Sequence, residues 1–214
     1  METFIVGASG SSAELALILD SPNSNTGGHF AIGFLDDNPK LHNKLILDLA
    51  VIGGTNLLSN YPDSGFISGI GNHKNFMNRL KILQNLNKLS QSVTCISKLG
   101  LISKSAIIES GVIISFNCFV GSNSKIGEFV YIMPNSTIGH DTLIGKGTII
   151  CSGVTVSGDV NIGESCYIGA GATIQDHISI APGTLIGSGS NVISNIDYGG
   201  TYVGNPARKL ATNA

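Results

Sequence analysis

The sequence predicts an α/β domain followed by a parallel β-solenoid. Residues 1 to about 90 alternate short apolar runs with stretches of helical spacing, which is typical of strands and helices that share one sheet. From residue 100 onward, Ile or Val recurs at every sixth position, and neither an α-helix nor a flat sheet imposes a period of six. We therefore expect residues 1–95 to form one domain and residues 96–214 a second.

The first domain begins with a strand, a helix and a second strand. The run TFIVG ends at Gly-Ala-Ser-Gly, SAELALILD has helical spacing with Ser12 as its predicted N-cap, and HFAIGFLDD is a strand that ends in two carboxylates. Farther on, FISGIGN predicts a strand that runs into a Gly-Asn turn, and NFMNRLKILQNLNKL predicts an amphipathic helix. This order indicates a small, mainly parallel sheet.

The second domain is a repeat of six residues. Stiff β-branched side chains suit its inward positions, and the glycines that follow many anchors, such as Gly121 and Gly139, offer the positive φ that corners require. Three such segments would make one 18-residue coil of a three-sided prism. Sixteen consecutive anchor positions carry Ile or Val: Ile102, Ile108, Ile114, Val120, Ile126, Ile132, Ile138, Ile144, Ile150, Val156, Ile162, Ile168, Ile174, Ile180, Ile186 and Val192.

The period also sorts the outward side chains. Residues just before the anchors should point outward, and every third one shares a face. One face is apolar throughout, whereas the other two are mixed; an apolar stripe of this length indicates an interface. We expect it to form a homotrimer, and the alternative is packing against the chain's own first domain. The stripe consists of Ile113, Tyr131, Ile149, Tyr167 and Leu185.

Composition excludes several classes of partner. The formal net charge is −2 and the basic residues form no run, so neither a nucleic acid nor an anionic membrane surface is indicated. The four cysteines show no metal-ligand spacing, so we expect no metal and a reducing cytoplasmic setting. No stretch of 18 apolar residues predicts membrane insertion.

His140 is the histidine best placed for chemistry. It lies two residues past the anchor Ile138, at a predicted corner of a coil. Acyl transfer to an amine requires a base that titrates near neutral pH, as imidazole does. Asp141 follows directly, and at a corner both side chains can project the same way, so Asp141 is placed to hold the ring tautomer. The alternatives are an ordinary surface histidine and a corner-turn aspartate.

Several motifs together resemble one enzyme family. They are a GASG turn, an LDD strand end, an IGN turn, the hexapeptide repeat with His-Asp at a corner, and the tail YVGNPARK. The chain resembles the nucleotide-sugar N-acetyltransferases of the bacillosamine and perosamine type, which are related to sialic-acid O-acetyltransferases within the hexapeptide-repeat acyltransferases. The resemblance implies a left-handed parallel β-helix, a Rossmann-like first domain, and acetyl-CoA as co-substrate without a metal.

The resemblance also implies roles for residues of the second domain. His140 matches the catalytic base and Asp141 its acidic partner, and the N–H of Gly158 is expected to bind the thioester oxygen. Two positions depart from bacillosamine-type members, which can carry Asn and a second His where this chain has Met133 and Ile149. The remaining residues expected to bind the cofactor are Gly187, Gly204 and Pro206.

The first domain carries the candidate acceptor site. Its first loop follows a strand and opens a helix, so its N–H groups can cradle a diphosphate. The alternative is a tight turn into the helix that binds nothing, because such a turn would also need glycine. Carboxylates at the end of the second strand are placed to accept from ribose hydroxyls or a base edge, the alternative being a solvated loop. The expected substrate-binding residues are Gly7, Ser9, Gly10, Ser11, Asp36, Asp37, Gly71 and Asn72.

These observations predict an enzyme that acetylates the 4-amino group of a nucleotide-linked sugar. The expected acceptor is UDP-4-amino-4,6-dideoxy-N-acetylglucosamine, and the product is UDP-N,N'-diacetylbacillosamine. Three alternatives stay open: a GDP- or dTDP-linked 4-amino sugar, O-acetylation of a sugar hydroxyl, and a non-catalytic nucleotide-sugar-binding scaffold. We expect direct transfer without an acyl-enzyme, because Cys118 and Cys166 occupy inward positions of the repeat and Cys151 has no adjacent base.

Overall fold

A computed structural model describes residues 1–86 and 88–211. Its first part contains the strands β1 Glu2–Val6, β2 Ser24–Asn25, β3 Phe30–Leu35, β4 Leu45–Ile46, β5 Leu49–Gly53 and β6 Gly65–Ser68, and the helices α1 Gly10–Leu19 and α2 Arg79–Asn85. Five of these strands form one sheet in the order β4-β5-β3-β1-β6, in which every pair is parallel except β4-β5. Strand β2 lies outside this sheet and pairs antiparallel with Cys95–Ser97. Helix α1 packs on the five-stranded sheet.

Two local predictions for the helices need correction. The N-cap of α1 is Ser9 rather than Ser12; Ser12 lies at the third helical position, where its hydroxyl accepts a hydrogen bond from the Ser9 N–H at 3.3 Å. A reciprocal cap of this kind satisfies the free donors of the first turn. The second helix is shorter than the apolar spacing suggests, because a 3₁₀ turn, Phe76–Asn78, precedes it.

The second part is a β-solenoid of short parallel strands. Strand β7 Cys95–Ser97 begins it, and β24 Thr201–Val203 pairs with β25 Arg208–Lys209 near its end. Sixteen two-residue strands lie between them, β8 to β23: Leu101–Ile102, Ile107–Ile108, Ile113–Ile114, Phe119–Val120, Lys125–Ile126, Tyr131–Ile132, Thr137–Ile138, Leu143–Ile144, Ile149–Ile150, Thr155–Val156, Asn161–Ile162, Tyr167–Ile168, Thr173–Ile174, Ser179–Ile180, Leu185–Ile186 and Asn191–Val192.

The strands form three parallel sheets, one on each side of the prism. Ile113 pairs with Tyr131 in the first sheet, Phe119 with Thr137 in the second, and Lys125 with Leu143 in the third, so one coil takes 18 residues. All sixteen anchors except Ile102 and Ile108 are buried. The three-sided parallel β-solenoid that the repeat predicted is thus confirmed.

The glycines that follow the anchors do not have the role that the sequence suggested. Positive φ occurs three residues after an anchor, as at Asn123 and Asp141, and not at Gly121 or Gly139. A Cβ at Gly139 would lie 2.4 Å from the backbone of Ser157 on the next coil. These glycines are therefore required by the close approach of stacked coils.

The first domain covers the first sheet of the solenoid, which corrects the predicted trimer stripe. Ile113 and Tyr131 are buried in one cluster with Ile5 and Leu15 of the first domain, and the Phe76 and Tyr167 ring centroids are 5.9 Å apart. Ile149 is also fully buried, and Leu185 is half-buried. Packing within the chain therefore accounts for most of the apolar stripe, because it hides these side chains from any second copy.

None of the helices in the described part of the chain is both long and apolar enough to cross a membrane.

Candidate active site

His140 lies at the corner between the second and third sheets. It follows Thr137–Ile138 of β14, and the chain enters β15 three residues later. The corner needs a residue with positive φ, and Asp141 takes that position with φ 54°. A short polar side chain tolerates this conformation better than most. The fold therefore sets both side chains on the outside of the prism, where His140 is 68% and Asp141 50% exposed.

The two side chains form a hydrogen-bonded pair. His140 Nδ1 and Asp141 Oδ2 are 2.8 Å apart, and Asn123, one coil earlier, donates from Nδ2 to the other carboxylate oxygen at 3.0 Å. The bonds from Asn123 and His140 hold the pKa of Asp141 below its usual value. An ionised carboxylate only accepts, so Nδ1 carries the hydrogen and Nε2 is left as the basic atom.

Gly158 lies directly beside the basic nitrogen. A Cβ added there would be 2.5 Å from His140 Nε2 and 2.6 Å from Cε1, so a larger residue would displace the ring. No acceptor for the Gly158 N–H is found within residues 1–86 and 88–211. A free donor beside the basic nitrogen suits an oxygen that becomes negatively charged during acyl transfer.

Sequence reasoning missed a second histidine at the same corner. His177 Nδ1 is 2.7 Å from Asp159 Oδ2, and its Nε2 is 3.5 Å from Asp176 Oδ2. The hydrogen bond with Asp159, together with the charge of Asp176, raises the pKa of His177 above its usual value. The 18-residue period was the available signal, because it stacks Asp159 on Asp141 and His177 on Asp159.

The other three residues expected to bind the cofactor lie at a different corner. Gly187 follows β22 of the first sheet, and a Cβ there would lie 2.8 Å from Val203. Gly204 donates its N–H to Ser190 at 3.1 Å, and Pro206 lies in the turn between β24 and β25. The structure thus brings Gly158 to His140, whereas Gly187, Gly204 and Pro206 gather near the carboxyl end of the coil.

The first domain has a cleft of about 130 Å³ at the carboxyl ends of its parallel strands. Five of the eight predicted substrate-binding residues line it, while Gly10 and Ser11 lie on the first turn of α1 outside it. Residues that the sequence reasoning did not single out, Asn75 among them, complete the lining. The predicted residues at the cleft are Gly7, Ser9, Asp36, Gly71 and Asn72.

The two predicted carboxylates make hydrogen bonds within the chain. Asp36 accepts from the N–H groups of Ala8, at 2.9 Å, and Asn38, at 2.8 Å. Asp37 lies outside the cleft and accepts from the N–H and hydroxyl of Thr55, at 2.7 and 2.9 Å. Asp36 therefore takes up one N–H of the loop that was expected to hold a diphosphate and adds negative charge beside it. That arrangement favours a hydroxyl or base-edge donor at Asp36 over a phosphate.

The His140 corner and the cleft lie on opposite sides of one chain. The first domain covers the first sheet, where a Cβ at Gly71 would lie 2.4 Å from Ile149 Cδ1. His140 is at the corner that joins the other two sheets. Within one chain the solenoid therefore separates the two groups of residues.

The four cysteines are buried in surroundings that disfavour covalent catalysis. Burial raises the pKa of the Cys95 thiol to about 12 and that of Cys166 to about 11, and it also raises the pKa values of Cys118 and Cys151. Raised values disfavour the thiolate that covalent catalysis needs. In the part of the chain that the structure describes, no three His, Cys, Asp or Glu side chains are grouped so that they could hold a metal ion.

Comparison with known proteins agrees with this fold. The family model "Bacterial transferase hexapeptide (six repeats)" matches residues 123–158. The acetyltransferase domain of PglB from Neisseria gonorrhoeae is 30% identical over 98% of this chain and 99% of its own, with a TM-score of 0.85. The same domain has been solved with acetyl coenzyme A, with 29% identity and a TM-score of 0.82 over 98% of both chains.

Two other solved structures are similar over nearly their whole length. WeeI from Acinetobacter baumannii is 25% identical over 98% of this chain and 100% of its own, with a TM-score of 0.80. A point mutant of perosamine N-acetyltransferase from Caulobacter crescentus, in complex with CoA and GDP-perosamine, is 21% identical over 99% of this chain and 98% of its own, with a TM-score of 0.86. The last likeness shows the fold alone. A sequence search of curated proteins found no match.

The coil and these similarities together define a hexapeptide-repeat acyltransferase. Within that superfamily, the chain belongs to the nucleotide-sugar N-acetyltransferases. It is thus an acetyl-CoA-dependent sugar N-acetyltransferase, as the sequence motifs implied.

Proposed function

We propose that the enzyme transfers acetyl from acetyl-CoA to the 4-amino group of a UDP-linked 4-amino-4,6-dideoxy-N-acetylglucosamine and so makes UDP-N,N'-diacetylbacillosamine. In this proposal residues 96–214 bind acetyl-CoA and carry the catalytic base. Residues 1–95 form a Rossmann-like domain that holds the nucleotide sugar, and the reaction takes place in the cytoplasm. The observation that carries the proposal is the His140 ring, which has Asp141 on one nitrogen and Gly158 beside the other.

The reaction follows from that arrangement. His140 Nε2 removes a proton from the sugar amine as the nitrogen attacks the thioester carbon. The N–H of Gly158 stabilises the oxyanion, and Asp141 stabilises the imidazolium. The C–S bond then breaks, and His140 returns the proton to the departing CoA thiolate. Acetyl passes directly to the amine, in keeping with the buried thiols of the four cysteines.

The acceptor site is proposed to form between two copies of the chain in a trimer. The cleft and His140 lie on opposite sides of one chain, so the cleft of one protomer would serve the His140 corner of the next. A threefold contact is heterologous, which allows such a pairing. The large apolar side chains exposed on the second and third sheets support a contact around that corner, and they are Leu101, Ile107, Phe119 and Leu143.

Mixing two inactive variants tests the shared site. His140→Ala removes the base, and Asn72→Trp blocks the exposed rim of the cleft. If each site combines two chains, co-purified mixtures regain activity, because about one quarter of random neighbouring pairs have both parts intact. If the site lies within one chain, every mixture stays inactive and the shared site is rejected.

An acetyl-CoA consumption assay tests the reaction and its substrate. The acceptors compared are UDP-, dTDP- and GDP-linked 4-amino sugars, with the matching 4-hydroxy sugars as controls for O-acetylation. We expect turnover with the UDP-linked amine, and a decrease of about 10² to 10⁴ in the His140→Ala variant with no loss of stability. Equal turnover of that variant, or turnover only with a hydroxyl acceptor, would contradict the proposal.

A further inference from the structure

Arg79 is a fully buried cation at the junction of the two domains. It is the first residue of α2, and its exposed fraction is 0%. Within the described residues it is the only charged side chain that is buried. Burial lowers the pKa of Arg79 to about 10, an effect that Tyr131 partly offsets. At neutral pH the guanidinium is therefore charged inside the protein.

The guanidinium bonds to the backbone of both domains. Nε donates to the carbonyl oxygen of Ile70 at 2.7 Å, and Nη1 donates to the carbonyl oxygen of Phe129. Nη2 has no partner among the described residues, and the same is true of the buried Tyr131 hydroxyl. Arg79 forms no ion pair with any carboxylate that the structure describes.

A contribution to folding stability does not explain why this arginine is buried here. Burying a charge without an opposite charge destabilises the folded state, and an apolar side chain of similar volume is often tolerated better. The positions of the two carbonyl groups that the arginine joins therefore indicate what the arginine does. One belongs to the Ile70–Asn72 loop, which lines the cleft, and the other to a corner of the coil, where Phe129 has φ 58°.

The same loop is also pressed against the coil beside the arginine. A Cβ at Gly71 would lie 2.4 Å from Ile149 Cδ1 and 3.0 Å from Arg79 Cδ. The guanidinium and Ile149 thus fix adjacent residues of the loop, one through a hydrogen bond and the other through contact. Loops at the ends of parallel strands are otherwise among the more mobile parts of such a sheet.

We propose that Arg79 is a positioning residue for the acceptor: it ties the Ile70–Asn72 loop to the coil and so sets the shape of the cleft. The proposal rests on the proposed function in one respect, that this cleft holds the nucleotide sugar. Arg79 itself does not touch the ligand. Its effect is expected in nucleotide binding and in the local stability of the loop, and not in the chemical step.

Three variants distinguish a positioning role of Arg79 in the loop from a general effect on the stability of the fold. Arg79→Met keeps volume and removes the charged donors, and Arg79→Lys keeps the charge with a less extended set of donors. Leu83→Ala is the control, because Leu83 is fully buried on the same helix and belongs to the core of the first domain. We expect Leu83→Ala to lower the melting temperature as much as Arg79→Met does, or more, without changing loop exchange or nucleotide binding selectively.

Hydrogen exchange tests, without any ligand, whether Arg79 holds the Ile70–Asn72 loop against the coil. In Arg79→Met, peptides covering residues 69–75 should exchange about tenfold faster while peptides of the coil are unchanged, because a hydrogen bond to a charged group is lost. Arg79→Lys should restore part of the protection. Unchanged exchange of the loop in Arg79→Met, or a uniform increase over the whole chain, would overturn the proposal.

Titrations of each variant with UDP, GDP and CoA complete the test. We expect Arg79→Met to weaken binding of the nucleotide that the wild type prefers by about tenfold, with CoA binding and kcat nearly unchanged. Wild-type nucleotide affinity in Arg79→Met would reject the positioning role. If the wild type binds neither nucleotide, the proposed acceptor site fails instead, and the exchange experiment still decides whether Arg79 holds the loop.

Discussion

The Gly158→Ala substitution tests the position of the proposed catalytic base, His140, most directly. A Cβ at this residue would lie 2.5 Å from His140 Nε2. Carbon contacts are favourable from about 3.5 Å outward, so the ring must retreat by the difference of about 1 Å. The imidazole is exposed and can move, whereas the backbone at Gly158 does not have the positive φ that would strain an alanine. The coil should therefore keep its stability while the base moves.

We expect this small substitution to cause a large loss of turnover. A displacement of about 1 Å at a catalytic group can lower turnover about 10²-fold. We expect kcat to decrease by about that factor, with the melting temperature unchanged. Thiol release from acetyl-CoA at saturating acceptor measures turnover, and thermal unfolding measures stability.

A second glycine of the coil gives the opposite pattern and serves as the control. Gly171 has φ +68°, and a Cβ there would meet no atom within 4 Å. Gly171→Ala should therefore cost about 1–2 kcal/mol of stability through backbone strain and leave turnover unchanged. Wild-type turnover in Gly158→Ala would refute the reasoning, since the base would then not act from the position next to this glycine.

Four further outcomes follow from the structure. Asp141→Asn should lower turnover, because an amide can also donate and no longer fixes the tautomer that leaves Nε2 of His140 basic; unchanged turnover would exclude that role. Asp159→Asn should lower the raised pKa of His177 toward its usual value, as followed by NMR titration, and an unchanged pKa would mean that Asp159 is not its cause. Tyr131→Glu should unfold the chain rather than only dissociate a trimer, because this residue is 4% exposed inside the domain contact. By contrast, Tyr131→Phe removes a buried hydroxyl that has no partner among the described residues, and it should be neutral in thermal unfolding. Ile138→Ala should cost about 2 to 5 kcal/mol in denaturant unfolding, and a much smaller loss would mean that the coil collapses around the deleted atoms.

The period of six carried most of what the sequence could predict about the fold. A repeat without insertions leaves one register, so the positions of β8 to β23 follow from the anchors alone. The corner of His140 followed in the same way. The start of α2 could not be predicted from the sequence, because the apolar spacing does not distinguish the preceding 3₁₀ turn from the helix itself.

The stripe from Ile113 to Leu185 shows why part of the surface could not be predicted. Periodicity tells which side chains are apolar and point outward, but not which surface covers them. The covering residues, such as Leu15 and Phe76, lie far away in the sequence and carry no repeat. Burial against the chain's own first domain and burial against a second copy leave the same apolar pattern, and only the three-dimensional packing separates them.

The pairing of charges around His140 follows from the stacking of coils. Residues 18 apart share a corner, so Asn123, Asp141, Asp159 and His177 form one column with positive φ throughout. Stacked parallel strands are about 4.8 Å apart, so the two aspartates would repel each other if both faced the same neighbour. Instead, Asp141 bonds to Asn123 on one side of the column and Asp159 to His177 on the other. This division leaves Asp141 as the carboxylate that bonds to His140 and keeps Nε2, beside Gly158, open for the proposed acceptor amine.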